Sequence, residues 1–312
     1  MKVAIPELFR GHLAGWLPAY VEPKWYSGVE DVAAAAADAD LLVIGFVDAE
    51  EIRHAIQAAN KARWISSHAA GVDHYPIDLL LQRGQVLTNG AGINAPPIAE
   101  FAVLCVLSAA KSFPMFLRAS ERQQWPAERP PADELEGSKA LIIGYGEIGR
   151  EIGSRLRPFG VNVTAVRRQP SEEPGVIGRD DWRHRLSEFD YVIVSAAFTP
   201  QTRHLLGATE FARMHPRAWV FNVSRGGLVD HLALAEALRA GHLRGAYLDV
   251  TEPEPLPEGH PLWGMPNVVI TGHSAGRSPR SHQRYAALLL DNLGRFERGE
   301  PLRNTVDLSA GY

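Results

Sequence analysis

Short apolar segments rich in β-branched residues alternate with helical patterns along this chain from one end to the other. This alternation is typical of α/β proteins, in which helical crossovers join parallel strands. The 312 residues also leave room for roughly two domains of about 150 residues each. Strands are predicted at residues 3–5, 41–46, 62–66, 86–88, 139–143, 162–166, 191–195, 218–223, 245–250 and 268–271, and helices at 50–59, 76–82, 97–112, 150–159 and 279–298.

The charge balance argues against a nucleic-acid-binding protein. The chain has 32 basic and 36 acidic residues and a net charge of −4, whereas nucleic-acid binders carry a basic excess or stripe. Of the basic residues 27 are Arg and 5 are Lys, and the last lysine is Lys139. Schiff-base or general-base lysine chemistry in the second half is therefore excluded. The histidines show no HExxH spacing, and a lone cysteine cannot form a CxxC pair, so no metal site is expected.

The single cysteine, Cys105, excludes an intrachain disulfide and fits a reducing compartment. It lies in the apolar run 101–107, where a buried side chain is expected rather than a nucleophile. The acidic Glu7 comes too early for a signal-peptide core, and no apolar run approaches the roughly 18 residues of a membrane span. We therefore expect a cytoplasmic protein without a membrane segment.

The most specific local motif is the G-x-G-x-x-G loop at residues 144–149, between the apolar strand 139–143 and a helical pattern. The first glycine allows a tight turn, the second lets the backbone approach a pyrophosphate, and the third lets the helix pack on the strand. The free N–H groups of the helix start then bind the diphosphate. Strand, loop and helix in this order predict a dinucleotide site with Gly144, Gly146, Glu147, Ile148 and Gly149 as contacts.

Two arginines stand where an NAD-binding protein usually carries an acid. About 18 residues after Gly149 the sequence reads Val-Arg-Arg-Gln, with Arg167 and Arg168 at the end of the next strand. A carboxylate there would bind the ribose 2′-hydroxyl of NAD, whereas guanidinium groups bind a 2′-phosphate. We therefore expect NADP(H) to be preferred over NAD(H). The alternative is that both are solvated surface arginines.

Three later segments each place a reactive side chain after a predicted strand: Arg225 in Asn-Val-Ser-Arg-Gly, Glu254 in Leu-Asp-Val-Thr-Glu-Pro-Glu-Pro, and His273 in Thr-Gly-His-Ser-Ala-Gly. Ligands of open α/β sheets bind beyond the carboxyl ends of the strands, so these loops should line one crevice. An Arg, a Glu and a His beside a nicotinamide suggest hydride transfer to a carbonyl next to a carboxylate.

In their order and spacing these motifs resemble the D-isomer-specific 2-hydroxyacid dehydrogenases, and especially the glyoxylate/hydroxypyruvate reductase-like members. The resemblance spans nearly the whole chain. It implies that Arg225 binds the substrate, that His273 is the acid/base, and that Glu254, rather than Glu252, pairs with the histidine. It further implies substrate contacts from Ala70, Gly71 and Val72, and cofactor contacts from Ala196, Val223, Ser224, Asp249, His273, Ala275 and Gly276, with Asp249 facing the nicotinamide carboxamide.

The resemblance also implies two Rossmann-like lobes with the active site in the cleft between them. Residues 1–112 and 280–312 would form a flavodoxin-like substrate lobe, and residues 113–279 the dinucleotide-binding lobe. Residues 113–138 form a polar stretch broken by prolines, which is typical of a linker, a functional loop or a partner-binding arm. By resemblance this arm builds a homodimer and brings Trp125 near the substrate cleft of the neighbouring subunit.

Two positions depart from the family pattern. The usual Thr-Pro-His is Thr271-Gly272-His273 here, and Ala197 stands where relatives often have proline. Losing a proline adds backbone freedom, so the histidine loop is expected to be looser or differently set, and the adenosine-side contacts are open.

The expected function is NADP(H)-dependent reduction of a small 2-oxoacid to a D-2-hydroxy acid. A relative acting on a larger 2-oxoacid, phosphoglycerate, formate or phosphite is an alternative, although formate enzymes of this family carry glutamine where Glu254 stands. A nucleotide-sensing protein similar to the transcriptional corepressors that share this fold is the alternative from another class.

Overall fold

The computed structural model describes residues 1–126, 128, 130–168 and 172–309. The chain folds into two compact units. The first unit holds Met1–Asn94 together with the chain from Ser278 onward, and the second unit holds Ala95–Arg277. Residues 127 and 129 of the predicted dimerisation arm and residues 310–312 of the predicted first lobe lie outside the described residues.

A five-stranded parallel sheet forms the centre of the first unit. Its strands are β1 (Lys2–Pro6), β2 (Glu22–Tyr26), β3 (Leu41–Ile44), β4 (Trp64–Ser67) and β5 (Val86–Thr88), and its first helices are α1 (Arg10–Leu13), α2 (Val29–Ala36), α3 (Ala49–Ala58) and α4 (Ile77–Arg83). The strand order is β2-β1-β3-β4-β5. The central β3 is buried along its whole length, as its uninterrupted apolar sequence predicts. The strand prediction missed β2, an edge strand that can contain Pro23 because edge positions tolerate a missing N–H.

A seven-stranded parallel sheet forms the second unit. It contains β6 (Lys139–Ile143), β7 (Asn162–Arg167), β8 (Val176–Gly178), β9 (Tyr191–Val194), β10 (Trp219–Asn222), β11 (Gly245–Leu248) and β12 (Val268–Ile270), and the helices α5 (Ala95–Ala110), α6 (Phe113–Glu121), α7 (Glu147–Leu156), α8 (Ala208–Arg213) and α9 (His231–Arg239). The order β12-β11-β10-β9-β6-β7-β8 reverses direction between β6 and β9. Ligands of open α/β sheets bind beyond the carboxyl ends of the strands at such a reversal.

Helix α5 explains where the first unit ends. Its buried Ala99, Ala102 and Ala109 lie in one core cluster with Ile142 of β6 and Ile152 of α7. The division therefore falls after Asn94, whereas the first lobe was predicted to end at residue 112.

Cys105 also lies on α5, and its predicted burial is confirmed. Burial raises the pKa of the Cys105 thiol to about 12, which keeps the sulfur protonated and unreactive near neutral pH.

The chain returns to the first unit with α10 (Ser281–Arg298), which covers one face of the five-stranded sheet. Tyr285 is buried there and its hydroxyl lies 2.8 Å from Ser66 Oγ of β4. Burial raises the pKa of this phenol well above its ordinary value. The predicted fold class, two α/β lobes built on parallel sheets, is confirmed.

Among the described residues no single helix is long and apolar enough to cross a membrane. Helices α5 and α6 together are long and apolar enough, but the chain bends by 76° between them.

Candidate active site

The predicted site residues of the second unit follow neighbouring strands of one sheet. Register pairs Ile143 of β6 with Val194 of β9, Val194 with Asn222 of β10, Asn222 with Leu248 of β11, and Leu248 with Ile270 of β12. The loops that begin after these residues therefore leave the sheet at one edge. They contain Gly144, Ala196, Arg225, Glu254 and His273.

The glycine loop has the geometry of a dinucleotide cradle. Gly144 has a φ of +100°, and a Cβ there would lie 2.4 Å from the main chain of Ala196. A Cβ on Gly149 would lie 2.2 Å from the carbonyl oxygen of Gly144. A Cβ on Gly146, in contrast, would meet no atom within 4 Å, so the loop has open space at the start of α7. Glu147 and Ile148 begin α7 beside this space, and N–H groups at a helix start have no partner within the helix, which suits a diphosphate.

Arg167 ends β7 beside this loop, because Val166 pairs with Ile143 and accepts a hydrogen bond from the Gly144 N–H at 3.1 Å. Arg167 and Arg168 are both exposed. The sequence carries no acid at this strand end, but an acid from the following loop contacts the helix that begins at the glycine loop.

That acid is Glu173, which follows β7 and pairs with Arg150 of α7 at 2.7 Å. Arg150 also lies over the ring of Tyr145, 4.9 Å from its centre. The hydrogen bond from Arg150 holds the pKa of the Glu173 carboxyl below its usual value. Glu173 is thus already engaged by a cation from the glycine-loop helix.

Asn222, which the sequence analysis did not single out, shapes the loop that carries Arg225. Its fully buried side chain donates to the Arg225 carbonyl at 2.8 Å and accepts from the Ser224 N–H at 3.1 Å. Ser224 Oγ in turn donates to the carbonyl of Ala196 at 2.5 Å, which joins this loop to the one after β9. Arg225 Nη1 donates to the Ser224 carbonyl at 3.0 Å. In the sequence Asn222 stands only as the first residue of the Asn-Val-Ser-Arg-Gly segment, which gives no sign that its side chain holds the loop.

His273 and Glu254 form the predicted pair. His273 Nδ1 lies 2.7 Å from Glu254 Oε1, and their side chains are 49% and 41% exposed, so the pair is open to a ligand. The rival Glu252 instead pairs with Arg203 at 2.9 Å. Since Nδ1 faces the carboxylate, Nε2 is the ring atom that can exchange a proton with a bound molecule.

Asp249 holds the turn that carries His273. The residue is only 4% exposed, and its carboxylate accepts hydrogen bonds from Thr271 Oγ1 at 2.7 Å, from the Ser274 N–H at 2.8 Å and from the Ala275 N–H at 3.0 Å. The structure therefore gives Asp249 a role in shaping this turn that the sequence did not predict.

The comparisons with known proteins agree with this geometry. Residues 103–275 match the family model of the D-isomer specific 2-hydroxyacid dehydrogenase, NAD binding domain. The chain belongs to the D-isomer specific 2-hydroxyacid dehydrogenase family. It is 31% identical to a glyoxylate reductase of Korarchaeum cryptofilum over 86% of this chain and 83% of that protein. The crystal structure of a D-isomer specific 2-hydroxyacid dehydrogenase family protein from Aeromonas salmonicida superposes with a TM-score of 0.84 at 29% identity, covering 98% of each chain.

Some relatives are matched over only part of their own length. The chain is 30% identical to a D-3-phosphoglycerate dehydrogenase of Methanocaldococcus jannaschii over 89% of its own residues, but these span only 54% of that relative. It thus covers about half the length of this relative.

The first unit of this family member carries the predicted substrate loop, residues Ala70–Val72. The loop follows β4, where Ser67 Oγ accepts from the Ala69 N–H at 3.1 Å and the side chain of Asn89 donates to the Ala70 carbonyl at 2.8 Å. Val72 is buried, whereas Ala70 is exposed. The loop is therefore fixed within its own unit by these hydrogen bonds and leaves residue Ala70 exposed.

The described residues show no cluster of side chains that could bind a metal ion. No group of three or more His, Cys, Asp or Glu side chains among them lies close enough together to hold an ion.

Proposed function

We propose that the chain is an NADPH-dependent reductase that converts small 2-oxoacids of the glyoxylate and hydroxypyruvate type to D-2-hydroxy acids. The observation that carries this proposal is the 2.7 Å contact between His273 Nδ1 and Glu254 at the same sheet edge as the glycine loop and Arg225. Family membership supports oxidoreductase chemistry on this class of molecule.

A bound nicotinamide dinucleotide supplies the hydride for the substrate carbonyl carbon. Gly144, Gly146, Glu147, Ile148 and Gly149 would hold its diphosphate, because the space at Gly146 adjoins the N–H groups that begin α7. Ala196, Val223, Ser224, Asp249, Ala275 and Gly276 would line the rest of the nucleotide site.

The protein's own residues manage the proton and the charge. His273 Nε2 donates a proton to the carbonyl oxygen as the carbon is reduced, and Glu254 stabilises the protonated imidazole that makes this possible. Arg225 binds the carboxylate or carbonyl oxygen of the substrate and stabilises the negative charge that develops. Backbone N–H groups at Ala70, Gly71 and Val72 would bind the substrate carboxylate.

The cofactor preference rests on Arg167 and Arg168. Replacing Arg167 with Asp and Arg168 with Ser should shift the ratio of kcat/KM for NADPH and NADH by about 100-fold toward NADH, because charge-assisted hydrogen bonds contribute about 1.5–3 kcal/mol. Initial rates with each cofactor at saturating 2-oxoacid measure this ratio. Arg213→Asp, at an exposed position on α8, is the matched control and should leave the ratio unchanged. An unchanged ratio in the double variant would remove both arginines from the 2′-phosphate site.

We also propose that the functional unit is a homodimer built with residues 113–138. Phe113, Met115, Phe116 and Leu117 of α6 are each between 41% and 49% exposed, and Trp125 is 95% exposed. Several exposed large apolar side chains in one short segment of a single chain favour association with another protein surface. A second copy of the chain is the proposed occupant, with Trp125 reaching the neighbouring substrate site.

The dimer proposal predicts that Leu117→Glu yields a monomer, because a charge on this face must lose its hydration when two copies associate. Sedimentation velocity at micromolar protein would show the change. Leu232→Glu is the matched control, since Leu232 on α9 is also exposed, at 64%. A parent chain that sediments as a monomer, or a Leu117→Glu variant that stays dimeric, would contradict the proposal.

A phosphorylated substrate is the second candidate. The identity to a D-3-phosphoglycerate dehydrogenase favours it. A panel that includes 3-phosphohydroxypyruvate beside glyoxylate and hydroxypyruvate separates the two by their kcat/KM values.

A further inference from the structure

The turn that carries His273, residues 271–275, forms hydrogen bonds with Asp249 both before and after Gly272. Before Gly272, the Thr271 N–H donates to Leu248 O at 3.1 Å and Thr271 Oγ1 donates to Asp249 Oδ1 at 2.7 Å. After it, the His273 N–H donates to the Asp249 carbonyl at 2.5 Å, and two further N–H groups bind the Asp249 carboxylate. The chain at Gly272 therefore has to join two fixed ends.

Gly272 joins them with a left-handed backbone. Its φ is +59°, and the next residue, His273, has a φ of +54°. Proline, the residue that the family pattern favours here, has its φ locked near about −65° and cannot adopt this conformation. A Cβ at Gly272 would meet no atom within 4 Å. An alanine would therefore fit sterically, and only its left-handed backbone conformation would be strained.

We propose that Gly272 is a positioning residue for His273, and that this chain uses a left-handed form of the turn which excludes proline. The inference deepens the proposed function, on which it rests. The left-handed step lets His273 keep its N–H on the Asp249 carbonyl while its ring lies 2.7 Å from Glu254.

A change of φ at residue 272 alone disturbs the hydrogen bonds that Thr271 and His273 both make to Asp249. If the neighbouring torsions stay as they are, rotating this bond to the proline value moves the His273 backbone relative to Thr271 and breaks at least one hydrogen bond to Asp249. The imidazole then loses its fixed position against Glu254. Misplacing a reacting group by about 1 Å can lower turnover by about 100-fold.

The test compares Gly272→Pro, Gly272→Ala and Gly241→Ala. Gly241 is the matched control because it lies in the same unit, has a φ of +71° and also has open space around its Cβ position. We expect Gly272→Pro to lower kcat by about 100-fold, because the imidazole is displaced. Gly272→Ala should lower kcat by about 10-fold, because a left-handed non-glycine residue is strained. Gly241→Ala should carry the same strain and keep the parental kcat.

Hydrogen exchange gives a second readout that does not depend on activity. The amides of Ser274 and Ala275 should exchange slowly in the parent and in Gly241→Ala, and faster in Gly272→Pro, because they lose their hydrogen bonds to the Asp249 carboxylate.

If the parent reduces no 2-oxoacid, the proposed function fails, and the exchange rates alone test the role of Gly272. If Gly272→Pro does not fold, Gly272→Ala decides it. Parental kcat or parental exchange in the deciding variant overturns the inference.

Discussion

Replacing His273 with Gln should lower kcat for 2-oxoacid reduction by about 10³-fold, within the range expected for losing a general acid. Glutamine can still donate a hydrogen bond toward Glu254, which lies 2.7 Å from His273 Nδ1 in the parent, but its amide cannot deliver a proton to the carbonyl oxygen near neutral pH. Steady-state rates with NADPH measure kcat. A fluorescence titration of NADPH should give a nearly unchanged Kd, since the glycine loop is untouched.

The control for this variant is His215→Gln. His215 lies before β10, at the amino end of the sheet, where its Nδ1 accepts from the Arg217 N–H at 3.1 Å. Its replacement should leave kcat unchanged. Parental turnover in His273→Gln would remove this histidine from the acid/base role.

Replacing Arg225 with Ala should lower kcat/KM for a 2-oxoacid by about 10³-fold, because the substrate loses both a charge-assisted contact and a group that stabilises charge on its oxygen. Arg225→Lys should recover only part of the loss, since lysine keeps the charge but lacks the planar fork that binds a carboxylate. Initial rates over a range of substrate concentrations separate the effects on KM and on kcat.

Arg213→Ala, at an exposed site on α8, should leave kcat/KM unchanged. The Arg225 variants also separate an enzyme from a nucleotide-sensing protein. Loss of turnover in Arg225→Ala is the outcome for an enzyme, whereas a parent chain that binds NADPH but turns over no 2-oxoacid favours the sensor.

The sequence predicted those parts of the site that depend on local pattern. The glycine loop could be predicted because strand, loop and helix follow one another, and Arg225, Glu254 and His273 because each comes shortly after an apolar strand. Glu254 was selected over Glu252 by family spacing, and the structure pairs Glu254 with His273 and Glu252 with Arg203.

The parts that the sequence did not predict depend on contacts between distant segments. Asn222 and Asp249 shape neighbouring loops through buried hydrogen bonds, and Arg150 meets Glu173 across 23 residues of chain. A polar residue at a strand end does not reveal which loop it will bind. The left-handed φ at Gly272 was also out of reach, because the sequence showed only that proline was absent.

The secondary structure elements that the sequence did not predict also depend on their place in the fold. Edge strands β2 and β8 carry proline or glycine and too little apolar pattern to be recognised. Helix α6 lies in a segment interpreted from its prolines and polar residues as an arm or loop, and its apolar side chains stay exposed. Helix α5 was predicted, but its assignment to the second unit depends on packing against β6 and α7.

The central claim is that this chain transfers hydride from NADPH to a small 2-oxoacid. The most direct measurement is the rate of NADPH and NADH oxidation at 340 nm with glyoxylate, hydroxypyruvate, 3-phosphohydroxypyruvate and larger 2-oxoacids. We predict substrate-dependent oxidation with the highest kcat/KM for NADPH and a small 2-oxoacid, and a kcat about 10³-fold lower in His273→Gln. No 2-oxoacid-dependent oxidation of either cofactor would contradict the claim.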